Sequence, residues 1–457
     1  MRATSFVRVL WFYFAPALVL PLLAPAAARA QLRVAGLRAD GRTDPLGIGA
    51  TAPRLSWRLE SPRRATMQSA YEIRVARGAG ELPSRVLWSS GRVASDASVL
   101  RPYGGPPLRS GERYAWQVRV WDERGQASPW SAPAHWEMGL LQAADWKAQW
   151  IAPDLQEDST ASNPSPVLRS EFTVEGKVAW ARAYVSARGL YQMELDGHIV
   201  GDELFRPGWT EYDKRLQYQT YDVTDLLRPG RNAVGVTLGD GWYRGRLAWE
   251  NNRNTWGRQL ALLAQIVIHY ADGREQVIGT GPAWKSSNAG PIRFSDIYDG
   301  ETYDARMEMP GWSLPGYPDA EWKGVRLVDV PASTLVAPVG PTVRRIQELK
   351  PLRVWSAPNG DTLVDMGQNM VGWVRLRVRG PAGTRVALHH AEVLDGTGNI
   401  YTANLRLAKA TDVFVLKGGG EEVFEPHFTF HGFRFLKVSG YPGMPTPADI
   451  TGIVIHS

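Results

Sequence analysis

"RYAWQVRVWDERGQASPWSAPAHWEMG", residues 113–139, decides the fold. Its opening run, "YAWQVRVW", alternates apolar and polar residues, the period of a strand with one buried face. The remainder turns back as the second arm of a hairpin that closes a sandwich. The same alternation recurs in "YEIRVAR" (71–77), "LYQMELDG" (190–197), "AQIVIHYADG" (264–273) and "GWVRLRVRG" (372–380). Turn pairs such as Asp196-Gly197, Asp272-Gly273, Asn359-Gly360 and Asp395-Gly396 separate such runs. Amphipathic helical windows are nearly absent. The exceptions are single turns such as "DVTDLLRPG" (222–230), where Asp222 or Thr224 caps and Pro229-Gly230 stops. The expectation is an all-β chain of several β-sandwich domains.

At 457 residues the chain exceeds one ordinary domain, and roughly 100–200 residues per domain suggests three or four. Residues 1–30 read as a secretory signal peptide. Arg2 and Arg8 precede an apolar run from Val9 to Leu23, and Ala28-Arg29-Ala30 forms a small-x-small cleavage site before Gln31. Pro16 and Pro21 interrupt the run, which argues against a membrane anchor and for a secreted or periplasmic location. Residues 31–141 read as a fibronectin type III-like module, from "PRLSWRLES" with Trp57 in the core to the opening hairpin. Residues 146–335 read as a longer, carbohydrate-binding-like jelly roll, and 340–457 as a second β-sandwich. The linkers are "LLQAADWKAQW" (140–150) and the extended "PASTLVAPVGPTV" (331–343).

Removing Arg2, Arg8 and Arg29 with the leader takes the formal charge from +6 to about +3. No basic block tracks a phosphate backbone, so nucleic acid is not an expected partner. Cysteine is absent, which excludes disulfides, thiolate metal sites and cysteine nucleophiles. The 19 tryptophans suit sandwich cores and also stacking on sugar rings.

"RFSDIYDGETYDAR" (293–306) places Asp296, Asp299, Glu301 and Asp304 within nine positions. Glycoside cleavage needs carboxyl groups flanking the bond. Asp299 and Glu301, at i and i+2 of one strand, approach from one side. As a calcium loop the stretch puts Ser295, Ile297 and Arg306 where oxygen ligands belong. A structural loop docking on the neighbouring domain is the better reading. His389-His390 and the pair His427, His431 resemble metal spacings, but strand neighbours at i, i+4 lie about 13 Å apart, so ordinary polar contacts are expected. Neither glycine-rich run, "GPAGTRV" or "LKGGGEE", has a phosphate loop's lysine and helix.

The best ligand candidate is "GDGWYRGRLAWENNRNTWG" (239–257). Trp242, Tyr243, Trp249 and Trp256 offer stacking faces. Asp240, Asn251, Asn252 and Asn254 offer groups for hydroxyls, and Arg244 and Arg246 offer donors. The alternative is that these tryptophans pack a jelly roll and hold its loop.

Six strings carry a family resemblance: "PLGIGATAPRLSWRLES", "DELFRPGWTEYDKRLQYQTYDVTDLL", "LGDGWYRGRLA", "IYDGETYDAR", "DMGQNMVGWVRLRVRGPAG" and "FTFHGFRFLKVSGY". In this order they resemble the bacterial α-L-rhamnosidases of glycoside hydrolase family 78, from about residue 32 to 457. The resemblance implies that the catalytic carboxylates belong to an α/α-barrel following these β-domains, which the 457 residues do not contain. It therefore implies no catalytic residue here. It further implies a rhamnose-containing glycan as partner and a helical catalytic domain, encoded separately or split off. No cofactor is required, although the resemblance admits calcium in the second block. Asp196, Asp202 and Asp213 are the carboxylates to test for it. The alternative function is calcium-dependent rhamnose binding without catalysis.

Overall fold

The computed structural model describes residues 1, 32–78, 80, 82, 84–247, 252–331 and 334–457. The expected signal peptide lies, but for Met1, outside the described residues. Strands make up 47% of the chain and helix 4%, so the all-β expectation holds. Among the described residues the α-helix is the single turn Gly241–Arg244. No helix there is long and apolar enough to cross a membrane.

Residues 113–139 build the first sandwich as their alternation predicts. Tyr114, Trp116, Val118 and Val120 on the strand Arg113–Asp122 all point inward and are buried. Trp136 from the returning strand stacks on Tyr114, with ring centroids 5.5 Å apart. Each such side chain contributes roughly 1.5–3 kcal/mol on burial. The sheet of four strands (Val86–Ser89, Gln68–Arg77, Arg113–Asp122, Ala134–Glu137) shares its core with a sheet of three (Arg33–Ala39, Arg54–Glu60, Arg101–Pro102). Trp57 belongs to that core, and its indole N–H donates to buried Gln68.

Both sheets of the second sandwich are antiparallel, and a short parallel pair, Leu216–Gln217 with Leu335–Val336, stands outside them. Its six-stranded sheet centres on Val178–Arg188 and Ala261–Tyr270, and its five-stranded sheet on Leu190–Leu195 and Gly230–Gly239. Val185, Ile266 and Ile268 from one sheet meet Leu168, Met193, Val236 and Leu238 from the other. "DVTDLLRPG" forms the expected single turn as a 3-10 helix, Thr224–Leu226, with Asp222 accepting from the Thr224 amide.

The third block is organised by the 18-residue strand Thr362–Arg379. Its register against His431–Ser439 shifts between Asp365 and Met370, and beyond that shift it also pairs with Ile450–His456 and Glu421–Phe424. The strand thereby bends round its own sheet.

One pairing crosses the boundary drawn near residue 335. The hairpin Ile292–Asp296 and Gly300–Asp304 joins the ten-stranded sheet of the third block, through parallel pairing of Thr302 with Val413 and Tyr303 with Phe414. Hydrophobic period fixes that a segment is a strand, not which sheet receives it.

Candidate functional site

The acidic hairpin is a joint between the second and third blocks. Gly300 makes its turn possible: its φ is +108°, and a Cβ there would stand 2.1 Å from the Thr411 carbonyl. Asp296 is buried and folds the turn, accepting the amides of Tyr298 at 3.0 Å and Asp299 at 3.2 Å. Its other oxygen takes the Arg246 amide at 2.8 Å. Burial raises its pKa, and these amides work against the rise. Asp299 accepts from the Arg246 guanidinium at 2.6 Å and from the Lys409 amide at 3.2 Å.

Glu301 has no exposed surface. It accepts from the His427 amide and ring Nδ1, both at 2.9 Å, and from the Phe428 amide at 3.1 Å. Asp304 pairs with Arg306, which lowers its pKa through their hydrogen bond. The four acids are thus all engaged within the protein, with Arg246 shared by Asp296 and Asp299. Asp296, Asp299 and Glu301 are buried within this joint. Glu301 and Asp299 tie the hairpin to segments more than a hundred residues away.

The stretch 239–257 feeds the same joint. Asp240 is buried and accepts from Arg244 at 2.7 Å, Arg253 at 2.6 Å and the Ser162 hydroxyl at 3.0 Å. Arg244, also buried, reaches Glu157 at 2.7 Å. Arg253 continues to Asp296 at 3.4 Å. Tyr243 is buried beside Tyr212, and Trp256 packs against the same ring. Asn254 donates to the Ser159 carbonyl at 2.8 Å. Asn252 is exposed, whereas Trp249 and Asn251 lie outside the described residues. Asp240 and Arg244 therefore pair with each other and with Arg253 and Glu157, while Arg246 pairs with Asp299. Trp242 is the exception in kind. It lies parallel to Trp209, within 4° at 5.8 Å, and Trp209 is 55% exposed.

The three carboxylates named for calcium are not gathered together. Asp196 is buried in a turn, accepting the Ala233 amide at 2.7 Å and Arg228 at 3.0 Å. Asp202 is exposed and pairs with Arg344 at 3.3 Å, and Asp213 is exposed.

Among the described residues, the one group with metal-ligand composition is His390, Asp412 and His431, all buried, with ligand atoms within 4.8 Å of one another. Within-strand spacing could not reveal it, because it assembles across three neighbouring strands: Thr411–Val415, Arg385–Ala391 and His431–Ser439. His431 Nε2 lies 3.1 Å from an Asp412 oxygen that also accepts the Glu301 amide at 3.0 Å. His390 Nδ1 lies 2.9 Å from the Ala410 carbonyl, so it carries the proton and Nε2 faces Asp412 at 3.9 Å. The two imidazoles stack at 4.0 Å, 23° from parallel. Stacked rings hold their nitrogen lone pairs side by side, whereas a metal needs them to converge. Within the group only His431 and Asp412 are hydrogen-bonded, and among the described residues His390 Nε2 and the second Asp412 oxygen are buried without a hydrogen-bond partner. Burial and neighbouring His431 push the His390 pKa down to about 3.

Beside the joint opens a cleft of about 480 Å³. Gln192, Glu194 and Thr237 line it from the second sandwich, with Trp312 packed on the same sheet, and Tyr303 and His427 line it from the hairpin side. Glu194 accepts from the Ser313 hydroxyl at 2.5 Å. Tyr303 donates to Glu308 at 3.2 Å, and its ring lies within 8° of parallel to His427 at 5.6 Å. Burial alone would lower the His427 imidazole, but Glu301, Glu425 and Glu194 hold its pKa above the ordinary value. Of this set the sequence reading weighed only His427, and only as half of a metal pair.

Three family models match in chain order. They are the Rha78A-like N-terminal immunoglobulin domain over residues 34–142, the alpha-L-rhamnosidase N-terminal domain over 176–347, and the bacterial alpha-L-rhamnosidase concanavalin-like domain over 356–456. The chain is 37% identical to an α-L-rhamnosidase of Streptomyces avermitilis, over 93% of the chain and 57% of that relative. It is 39% identical to one from Alteromonas sp. (strain LOR), over 92% of the chain and 46% of the relative. The crystal structure of the Streptomyces avermitilis enzyme complexed with L-rhamnose superposes with a TM-score of 0.89 at 35% identity, covering 93% and 57% of the two chains. That of native Aspergillus terreus α-L-rhamnosidase gives 0.88 at 42% identity, covering 93% and 49%. The chain spans about half the length of the curated relatives it matches.

Proposed function

Since the chain belongs to the bacterial α-L-rhamnosidase family, we propose that its 457 residues are the accessory β-domain part of an exported α-L-rhamnosidase. In this reading they serve a helical catalytic domain that cleaves α-L-rhamnosides of plant or bacterial glycans, and they do not cleave the bond themselves. One observation carries it. Asp296, Asp299 and Glu301, three of the four acids dense enough to suggest catalysis, are buried and engaged by Arg246, Arg253, His427 and backbone amides, and the fourth, Asp304, pairs with Arg306. Glycoside hydrolysis needs two carboxyl groups facing each other across a substrate, roughly 5–9.5 Å apart. Acids committed to an interdomain joint do not supply that pair.

The test is incubation of the purified 457-residue chain with an aryl α-L-rhamnoside. No release of the phenol above the buffer rate is expected. Robust turnover, abolished by Glu301→Gln, would overturn the accessory reading and return the hairpin to catalysis.

A further inference from the structure

The cleft between the second and third blocks is built in a way that an interdomain joint alone does not require. His427 presents a ring 29% exposed to it, aimed by a Glu301 carboxylate with no exposure at all. Sealing a carboxylate into an interior is costly unless its hydrogen bonds are complete, and here Glu301 satisfies two backbone amides and the imidazole together. The imidazole's Nε2 has no partner among the described residues. Neither does the Gln192 amide, the Thr237 hydroxyl or the second oxygen of Glu194, all on one sheet facing the cleft. Tyr303 and Trp312 supply aromatic surface beside them.

The composition selects a ligand class. The volume, about 480 Å³, falls within the roughly 300–1,000 Å³ of small-molecule sites. Glu308 is neutralised by Lys417 at 2.5 Å, and Glu194 stands near the His427 imidazole, whose pKa Glu301, Glu425 and Glu194 hold above its ordinary value. The lining therefore has little net charge, which disfavours an ionic ligand. It interleaves acceptors (Glu194, Gln192) with donors (Gln192, Thr237) and the His427 Nε2, which accepts in the neutral ring and donates in the protonated one, the pattern that matches hydroxyl groups, which both donate and accept.

We propose that this cleft is a pyranose-binding subsite, in which Gln192, Glu194, Thr237 and His427 hold ring hydroxyls against the aromatic surface of Tyr303 and Trp312. The naming of L-rhamnose as the sugar, and only that, rests on the family reading above.

Calorimetric titration of the 457-residue chain with methyl α-L-rhamnopyranoside tests it, beside the variant Gln192→Ala/Thr237→Val. Those two side chains bond to no described residue, so the variant is expected to keep the wild-type thermal midpoint. Losing two hydrogen bonds is expected to weaken binding about tenfold or more. Absence of heat from the wild-type chain up to saturating sugar would overturn the proposal, as would equal affinity in the variant. Neither result bears on whether the chain hydrolyses an aryl rhamnoside, so this inference and the accessory reading fail separately.

Discussion

His390 and His427 stand in the same block, each beside a carboxylate without exposed surface, yet their surroundings act on them in opposite directions. His427 meets Glu301 at 2.9 Å, with Glu425 and Glu194 adding negative charge, and its pKa rises. His390 sees Asp412 only at 3.9 Å, across from the oxygen that His431 and the Glu301 amide leave unbonded. Burial and a second imidazole then dominate, and its pKa falls to about 3. Burial sets the scale of both shifts, and the hydrogen-bond geometry of the carboxylate sets their sign. The first assembly locks two blocks together, and the second locks three strands of one sheet.

The sharpest way to break this contrast is Glu301→Ala. It leaves two amides and an imidazole without their acceptor at the interblock joint. Removing one member of such a buried pair typically costs about 3–5 kcal/mol. Thermal unfolding followed by calorimetry is expected to show the third block melting earlier and separately from the second. A midpoint within a degree of wild type would mean the joint does not couple the blocks.

Acid separates the pairs next. The unfolded His390 takes up a proton near its ordinary value of 6.5, whereas the folded ring resists to about 3. Its contribution is complete above roughly pH 6.5 and is lost as pH falls toward 3. The slope is at most about 1.4 kcal/mol per pH unit from this one group. Urea midpoints between pH 7 and 4 are expected to fall less steeply in His390→Asn than in wild type. Parallel curves would show that the ring protonates without resistance.

The strand architecture was legible because burial follows period: "YAWQVRVW" reports its inner face directly through Tyr114, Trp116, Val118 and Val120. The destination of residues 292–304 was not, since both arms of that hairpin fit any sheet with an open edge. The site was hidden for a related reason. Glu301 finds His427 126 residues away, and Asp412 finds His390 and His431 across strand pairings that no spacing encodes. Acid density drew attention to Asp299 and the aromatic-rich stretch 239–257 to Asp240, and both charges turn out to be matched. The cleft's unmatched groups, Gln192 and Thr237, look like ordinary outward positions of ordinary strands.

The smallest effects sharpen the comparison from the other side. His427 has a raised pKa, so its stabilising contribution is full below its unfolded value and fades as pH climbs through the folded one, the reverse of His390. With the ring partly exposed, solvent screening should hold this to below about 1 kcal/mol. In His427→Asn that decline should vanish while the acid-side curve stays unchanged. Smaller still is Asp202→Ala, which removes an exposed ion pair with Arg344 and is expected to move stability by less than about 0.5 kcal/mol. Run with and without calcium, the same variant also tests Asp202 as a calcium ligand. A calcium-dependent rise in the wild-type midpoint that disappears in Asp202→Ala would assign it that role. Equal midpoints leave Asp202 as a surface charge, in contrast to the buried carboxylates whose partners fix the joint.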